Sequence, residues 1–479
     1  MDSRHSLTSK SLFVHLHMRF AIILNFILGF SSYLFAGVIP AQVSDTIVLT
    51  KSESPYTCGD VEILVSGRVV VNPGVTILVA PGSDITVNGT LEMNGTEGDK
   101  IKIQGNGGRM GEINGSGGSL TMVYVEMSNV SKAINISFGN CLVEHSHFSE
   151  INPGDAIGAY GTSFIFRDNY LEGDLSLAKS DAIDLAAVNG AIVERNTIVD
   201  FTDDAIDFGT SSSNVIVRNN TLKNIHSIGV SFGEGTTGKV YRNVLEDCYV
   251  GLQSHNGAHM TAYNNTIHDA TTGVELFHGS QANSGGTATV INCVFSQCAT
   301  LVSAYGDSTS NGTFNYCLHT SGTLEGMGNV LGDPLFISPE TSNFNIQSGS
   351  PVIDAGDPDL DGDELDYSVD IDDQDVDGSR LDIGALAYEL GAGIGNGNIS
   401  ESFSIYPMPV SSTFYVTTKS GIVFTELALI NSQGKTVLNE SFSVNKPVNI
   451  QDLDDGIYTL KFVGNDDRVS YSSTISIIK

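Results

Sequence analysis

The chain has 479 residues, enough for two or three domains, and its 52 Gly, absent Trp and 16% charged residues suit turn-rich β structure rather than a helical enzyme. Its 23 basic against 55 acidic residues give a net charge of −32. That balance argues against nucleic acid and anionic membrane surfaces, which need clustered Lys and Arg, and is compatible with divalent cations and with neutral or cationic glycans.

In chain order, residues 1–41 read as a signal peptide. Arg4, Lys10 and Arg19 precede an apolar run at 20–30, and small residues follow around Ala36 and Ala41. The apolar run is too short and interrupted for a membrane anchor, so the mature protein is expected to be exported without a transmembrane span. Residues 46–105 alternate apolar and polar side chains between P-G and N-G turns (V-V-V-N-P-G-V-T-I-L-V-A-P-G), the pattern of short strands. Residues 106–118, N-G-G-R-M-G-E-I-N-G-S-G-G, read as a loop. They lack the Lys and the following helix of a phosphate cradle.

A repeat then organises the chain. The segments GDAIGAY, SDAIDLA, DDAIDFG, SIGVSFG, YVGLQSH and TTGVELF align a small residue before Ile157, Ile183, Ile206, Val230, Leu252 and Val274, at steps of 26, 23, 24, 22 and 22 residues. A second column, Asn169, Asn196, Asn220, Asn243, Asn265 and Asn292, keeps the same period. Two columns in one period mean stacked, near-identical units, and the period-two runs broken by Asn, Gly and Asp make each unit one of strands and turns. The expected architecture is all-β: a right-handed parallel β-helix over 42–330, of roughly twelve coils and on the order of 55 Å long. These repeats resemble those of the pectate-lyase-like β-helix superfamily, and the 46–105 ladder resembles the opening coils of secreted bacterial β-helix proteins. The phrase S-I-G-V-S-F-G-E-G is similar to the G-I-S-V-G-E coil of bacterial β-helix proteins without assigned activity.

Six Cys (58, 141, 248, 293, 298, 317) are too sparse for a disulfide framework. Cys293 and Cys317 could meet on adjacent coils, but no bridge is assigned.

Residues 331–390 form an acidic closing segment expected to cover the last open coil. Its phrases L-G-D-P-L-F-I, G-S-P-V-I-D-A-G-D and R-L-D-I-G-A-L-A-Y-E resemble the closing segments of secreted Bacteroidetes β-helix proteins. Within it, D-P-D-L-D-G (Asp357, Asp359, Asp361) and D-Q-D-V-D-G (Asp373, Asp375, Asp377) have the alternate carboxylates and Gly of an oxygen-ligand calcium loop. Ser368 and Gly384 stand where an EF-hand would need Glu, so a looser loop is expected, completed by Asp363, Asp366 or Asp370; the other reading is a solvated acidic loop. Residues 391–400 are a Gly-rich linker.

Residues 401–479 form a small β domain, expected to be a sandwich, that resembles the type A C-terminal sorting domain of the type IX secretion system. The Y-P-x-P turn, S-Q-G-K hairpin and G-I-Y-T-L-K-F strand carry the match, and Met408 departs from it where Asn is usual. The resemblance implies passage across an outer membrane through the type IX machinery.

Strand parity locates the candidate chemistry. If Ile183 and Ile206 point inward, Asp184 and Asp207 point outward, followed in the same column by Ser231, Gln253 and Glu275. His255 and His278 lie just downstream on the later coils, and Asp181 and Asp204 fall at the bend, where they can bind turn amides. Neighbouring carboxylates repel, so the column implies either an acid/base pair or a calcium site. S-D-A-I-D and D-D-A-I-D also look like the paired acidic phrases of polygalacturonases, which puts Asp181, Asp203 and Asp204 on the catalytic positions. That family's His falls on Ile228 and its R-x-K pair on Gln253 and His255. A lyase would need a Lys or Arg base, for which Lys179, Arg195, Arg218 and Lys239 are available. The expectation is a secreted or cell-surface protein that binds or acts on polysaccharide, either as a binding module or as a lyase or glycoside hydrolase.

Overall fold

The computed structural model describes residues 37–152, 154–176, 179–279, 284–365, 367–368, 373–375 and 379–388. In the C-terminal part it describes 403–406, 412–418, 424–430, 435–441, 446–451, 453, 456–464 and 470–477. Most of the expected signal peptide, the whole linker, Met408, Asp366, Asp370 and Asp377 lie outside these residues. By contacts the chain divides after Ala191 into two units.

In the first unit each coil contributes up to three short strands. One stack runs Thr46–Leu49, Arg68–Val71, Thr90–Asn94, Ser119–Val123, Asn140–Glu144 and Ser163–Arg167, each parallel to the next. A second runs Ile85–Val87, Ile113–Ser116, Ile134–Ser137, Ile157–Tyr160 and Ile183–Ala186. Alternation does the folding: Ile134, Ile157 and Ile183 pair directly and are fully buried, whereas Asn135 and Asp184 beside them reach solvent. Each such buried side chain is worth about 1.5–3 kcal/mol, so the repeat stands without metal or disulfide. Phe148, Phe164 and Phe166 fill the same interior.

Residues 106–118 are a loop only in part. Ile113–Ser116 is a strand of the second stack, with Met110 and Ile113 fully buried. The glycines serve contact rather than looseness, because a Cβ at Gly115 would stand 2.1 Å from the Val87 carbonyl oxygen, and at Gly118 2.2 Å from it.

The second unit repeats the plan over six coils, with a stack of Ile192–Glu194, Val215–Arg218, Thr237–Tyr241, His259–Tyr263, Thr287–Ile291 and Asn311–Asn315. Ile206, Val230, Leu252 and Val274 are in register and buried, as the repeat requires. In two coils a pair of strands fuses into one twelve-residue strand, Thr221–Phe232 and Val244–His255. The bends rest on single left-handed residues: Arg195, Asn219, Arg242, Asn264, Asn292 and Tyr316 all have φ between 50° and 56°.

The next residue of each bend enters a buried ladder. Asn196 N donates to Asn220 Oδ1, Asn220 N to Asn243 Oδ1, and Asn243 N to Asn265 Oδ1, at 2.9–3.1 Å. Asn292 departs from the expected column. Thr266 pairs with Val294, so the rung after Asn265 is Cys293, whose sulfur accepts from the Asn265 amide at 3.4 Å. Asn292 occupies the left-handed position instead, which also selects Asn. All six Cys are buried free thiols. Burial pushes Cys58 up to about 11 and Cys141 and Cys298 to about 12, which keeps them unreactive.

The closing segment runs back along the flank of the coils rather than only over the last one. Phe336, Phe344, Ile346, Val352 and Ile383 bury Val244, Val294 and Leu318, which would otherwise face outward. Asn264 Nδ2 donates to the carbonyls of Asp382 and Gly384, and Asn292 Oδ1 accepts from Asp357 N at 2.6 Å. The left-handed Asn residues of two bends thereby anchor the segment. Further on, two small antiparallel sheets share one core of Phe414, Val416, Leu427, Leu429, Leu460, Ile475 and Ile477, the expected sandwich. Among the described residues no helix is long and apolar enough to cross a membrane.

Candidate functional site: carboxylates and a lysine on the outer face of the coils

In the first unit the bend before the buried Ile carries Lys132, Asp155 and Asp181 on successive coils, each followed by a buried Ala. Asp155 Oδ1 accepts the amide of Asp181 at 3.2 Å, the turn-binding use that parity implies for this position. Its other oxygen, Oδ2, is 3.4 Å from Lys132 Nζ. Asp184 points outward from the next strand, in register with Gly158 and Asn135. Gly158 leaves a floor without a side chain: a Cβ there would be 3.2 Å from Lys132 Nζ and 3.5 Å from Asn135 Oδ1. One carboxylate oxygen from each of Asp155, Asp181 and Asp184 lies within 4.8 Å of the others. Burial, with the Asp155 charge adding to it and Lys132 opposing, holds the Asp184 carboxyl above its ordinary range. Two residues beyond Gly158, on the same face, Tyr160 is 45% exposed and meets the Phe138 ring edge-on at 5.2 Å.

Lys132 and Asp155 are the members that the motif reading passed over. The signal is legible in retrospect: S-K-A-I-N-I at 131–136 is the same phrase as G-D-A-I and S-D-A-I, one coil earlier, with Lys in the acidic place.

In the second unit, taken by itself, Asp204 is 9% exposed and its Oδ1 accepts the Ile228 amide at 3.0 Å, again a turn-binding role. Asp207 is in register with Ser231, and that outward column continues through Gln253 and Glu275, as expected. Asp203 lies at the same bend as Asp204. His255 is stacked on Phe277 and burial lowers its pKa, while His278 Nδ1 lies 2.7 Å from Asp307 Oδ2. Of the basic residues considered for a lyase, Arg195 and Arg218 both bind the buried Glu194 carboxylate, and Arg218 also donates to the Tyr241 hydroxyl.

Residues of both acidic phrases of the closing segment contribute to one cluster. Carboxylate oxygens of Asp359, Asp361 and Asp373 lie within 4.8 Å of one another. Asp359 also accepts the amides of Gly362 and Glu364, and the fully buried Asp373 accepts that of Leu360 at 2.7 Å. Asp375 turns elsewhere, accepting the Asp382 amide at 3.0 Å. Burial raises the Asp357 carboxyl, which accepts the Asp359 amide.

Residues 91–267 and 175–323 match the family described as right handed beta helix region, and residues 404–477 match the secretion system C-terminal sorting domain. The chain is a right-handed parallel β-helix protein with a type IX sorting domain. The sorting domain marks the β-helix as secreted or displayed at the cell surface. A stretch of 58 residues is 40% identical to protein bark beetle of Drosophila melanogaster, covering 12% of this chain and 2% of that protein. Similar solved structures include an alginate lyase from Paenibacillus sp. str. FPU-7, at 13% identity and TM-score 0.32 over 50% of this chain and 93% of that one. Another is the A-module of a mannuronan C-5 epimerase of Azotobacter vinelandii, at 12% identity and TM-score 0.24 over 54% of this chain and 90% of that one.

Proposed function

We propose that this β-helix binds an extended polysaccharide on the outer face of its first unit, through a calcium ion held by Asp155, Asp181 and Asp184. The observation that carries the reading is the convergence of three carboxylates and one ammonium, the ammonium lying over Gly158. An all-carboxylate donor set is hard and anionic, which suits Ca2+ rather than a thiophilic or imidazole-seeking metal. Calcium takes six to eight oxygens, so three Asp ligands leave positions for sugar hydroxyls or a uronate carboxylate. Lys132 would pair with a second anionic group of the polymer, and the exposed Tyr160 ring offers an apolar surface to a sugar face. A bound cation would offset the carboxylates that a uronate meets on this face. The Asp359, Asp361 and Asp373 cluster fits a second, structural calcium that would brace the closing segment.

A catalytic reading has one observation in its favour: the raised carboxyl of Asp184 near a lysine is the pairing that general acid/base work uses. Both readings require export by the type IX machinery through the C-terminal domain. A panel of neutral and uronate polysaccharides, incubated with the purified protein in calcium and in EDTA, tests them together. Calcium-dependent retention on a uronate polymer is expected. Reducing ends or unsaturated-uronate absorbance would add catalysis, and no retention on any polymer would overturn the proposal.

A further inference from the structure

The last coils carry a feature of different chemistry, which goes beyond the calcium-bridged reading and uses none of its residues. No Lys or Arg stands between Arg242 and Arg380. Outward side chains there form two adjacent columns, Gln253, Glu275 and Ser303 in one, and His255, Phe277 and Tyr305 in the other. Gln253 Nε2 donates to Glu275 Oε2 at 2.6 Å, and burial together with the nearby Glu275 charge raises the Tyr305 phenol. In the second column the rings lie parallel. His255 and Phe277 have centroids 4.7 Å apart at 5°, and Phe277 and Tyr305 5.3 Å apart at 5°. Among the described residues the strand Thr300–Tyr305 pairs only with Thr272–Phe277, so the stack ends at Tyr305, which is 49% exposed. Tyr249, 59% exposed, stands within electrostatic reach of the Tyr305 phenol.

We infer that Tyr305 is the platform of a subsite for an uncharged pyranose, with the Glu275 carboxylate of the adjacent column setting its preference against charge. A pyranose has an apolar C–H face ringed by groups that both donate and accept. The open end of an aromatic stack takes the face, as a fourth member of the column. A carboxylate has about four lone-pair sites, of which Gln253 uses one, so Glu275 keeps acceptor capacity at the edge of this column. A uronate would meet Glu275 with no basic residue in these coils to offset it, so the subsite discriminates against anionic sugars.

The test is calorimetric titration of the full-length protein with cellohexaose, mannohexaose, xylohexaose and oligogalacturonate, in calcium and in EDTA. At least one neutral hexasaccharide should bind equally in both buffers. Calcium-independent binding separates this subsite from the proposed calcium-bridged site, so either can fail alone. Tyr305→Ala should weaken binding about tenfold or more with an unchanged thermal midpoint, while Tyr305→Phe keeps most of it. Glu275→Lys, which depends on no loss of fold, should shift the preference toward oligogalacturonate. Absence of binding by every neutral hexasaccharide, or binding indifferent to Tyr305→Ala and Glu275→Lys, would overturn the inference.

Discussion

Replacing Asn220 with alanine is expected to destabilise the protein by about 3–5 kcal/mol, read as a fall in the urea midpoint with little change in slope. The side chain is 1% exposed and makes four hydrogen bonds. Its Nδ2 donates to the Val193 carbonyl and to Asn243 Oδ1, both at 2.9 Å, and its Oδ1 accepts from the backbone N and the Nδ2 of Asn196. Alanine removes all four and leaves donors and acceptors of the neighbouring rungs buried without water. Each orphan costs about 1–3 kcal/mol, which is why the loss exceeds that of a surface asparagine. Asn219, one residue earlier, is the control. It serves the bend through its left-handed φ of 56°, which glycine adopts freely, so Asn219→Gly should change stability by no more than a few tenths of a kcal/mol. Equal effects at 219 and 220 would contradict the ladder as the source of rigidity.

Asp184→Asn is expected to have opposite effects with and without calcium. Without divalent cations the folded protein holds the Asp184 carboxyl above its ordinary range, so ionising it costs stability. Stability is therefore higher below the unfolded pKa and falls as pH rises through the interval up to the folded one. Asparagine, neutral at every pH, removes that cost. The variant should melt about 1–2 °C higher than wild type at neutral pH in EDTA, and the difference should vanish in acid, where the wild-type carboxyl is protonated. In calcium the order reverses, because cation binding stabilises the wild type by mass action and the variant has lost a charged ligand. A variant that melts lower than wild type in both buffers would mean that Asp184 is a structural residue.

The parts of the fold legible in the sequence are those set by one residue's immediate surroundings. Ile157, Ile183 and Ile206 must be apolar because each closes the interior of its own coil, so the repeat exposes itself and gives strand parity with it. The Asn ladder was legible as far as Asn265 and misread at Asn292, because the buried rung and the left-handed bend beside it both select Asn. The glycines at 115 and 118 look like a loop by composition, but they let one coil lie against the Val87 carbonyl, a contact 28 or more residues away in sequence. The site shows the same division. Asp181 and Asp184 stand in a recognisable phrase, whereas Lys132 breaks the acidic pattern and joins the cluster only when coils are stacked. The return of the closing segment along the flank depends on Asn264 and Asn292 meeting Asp382 and Asp357, which no local pattern encodes.

The most direct test of the proposed site is the affinity of wild type and Asp184→Asn for polygalacturonate, measured in calcium and again in EDTA. Wild type in calcium should bind at least about tenfold more tightly than either the variant in calcium or wild type in EDTA. Equal binding in all of these conditions would contradict the assignment of Asp155, Asp181 and Asp184 as the cation-bridged contact.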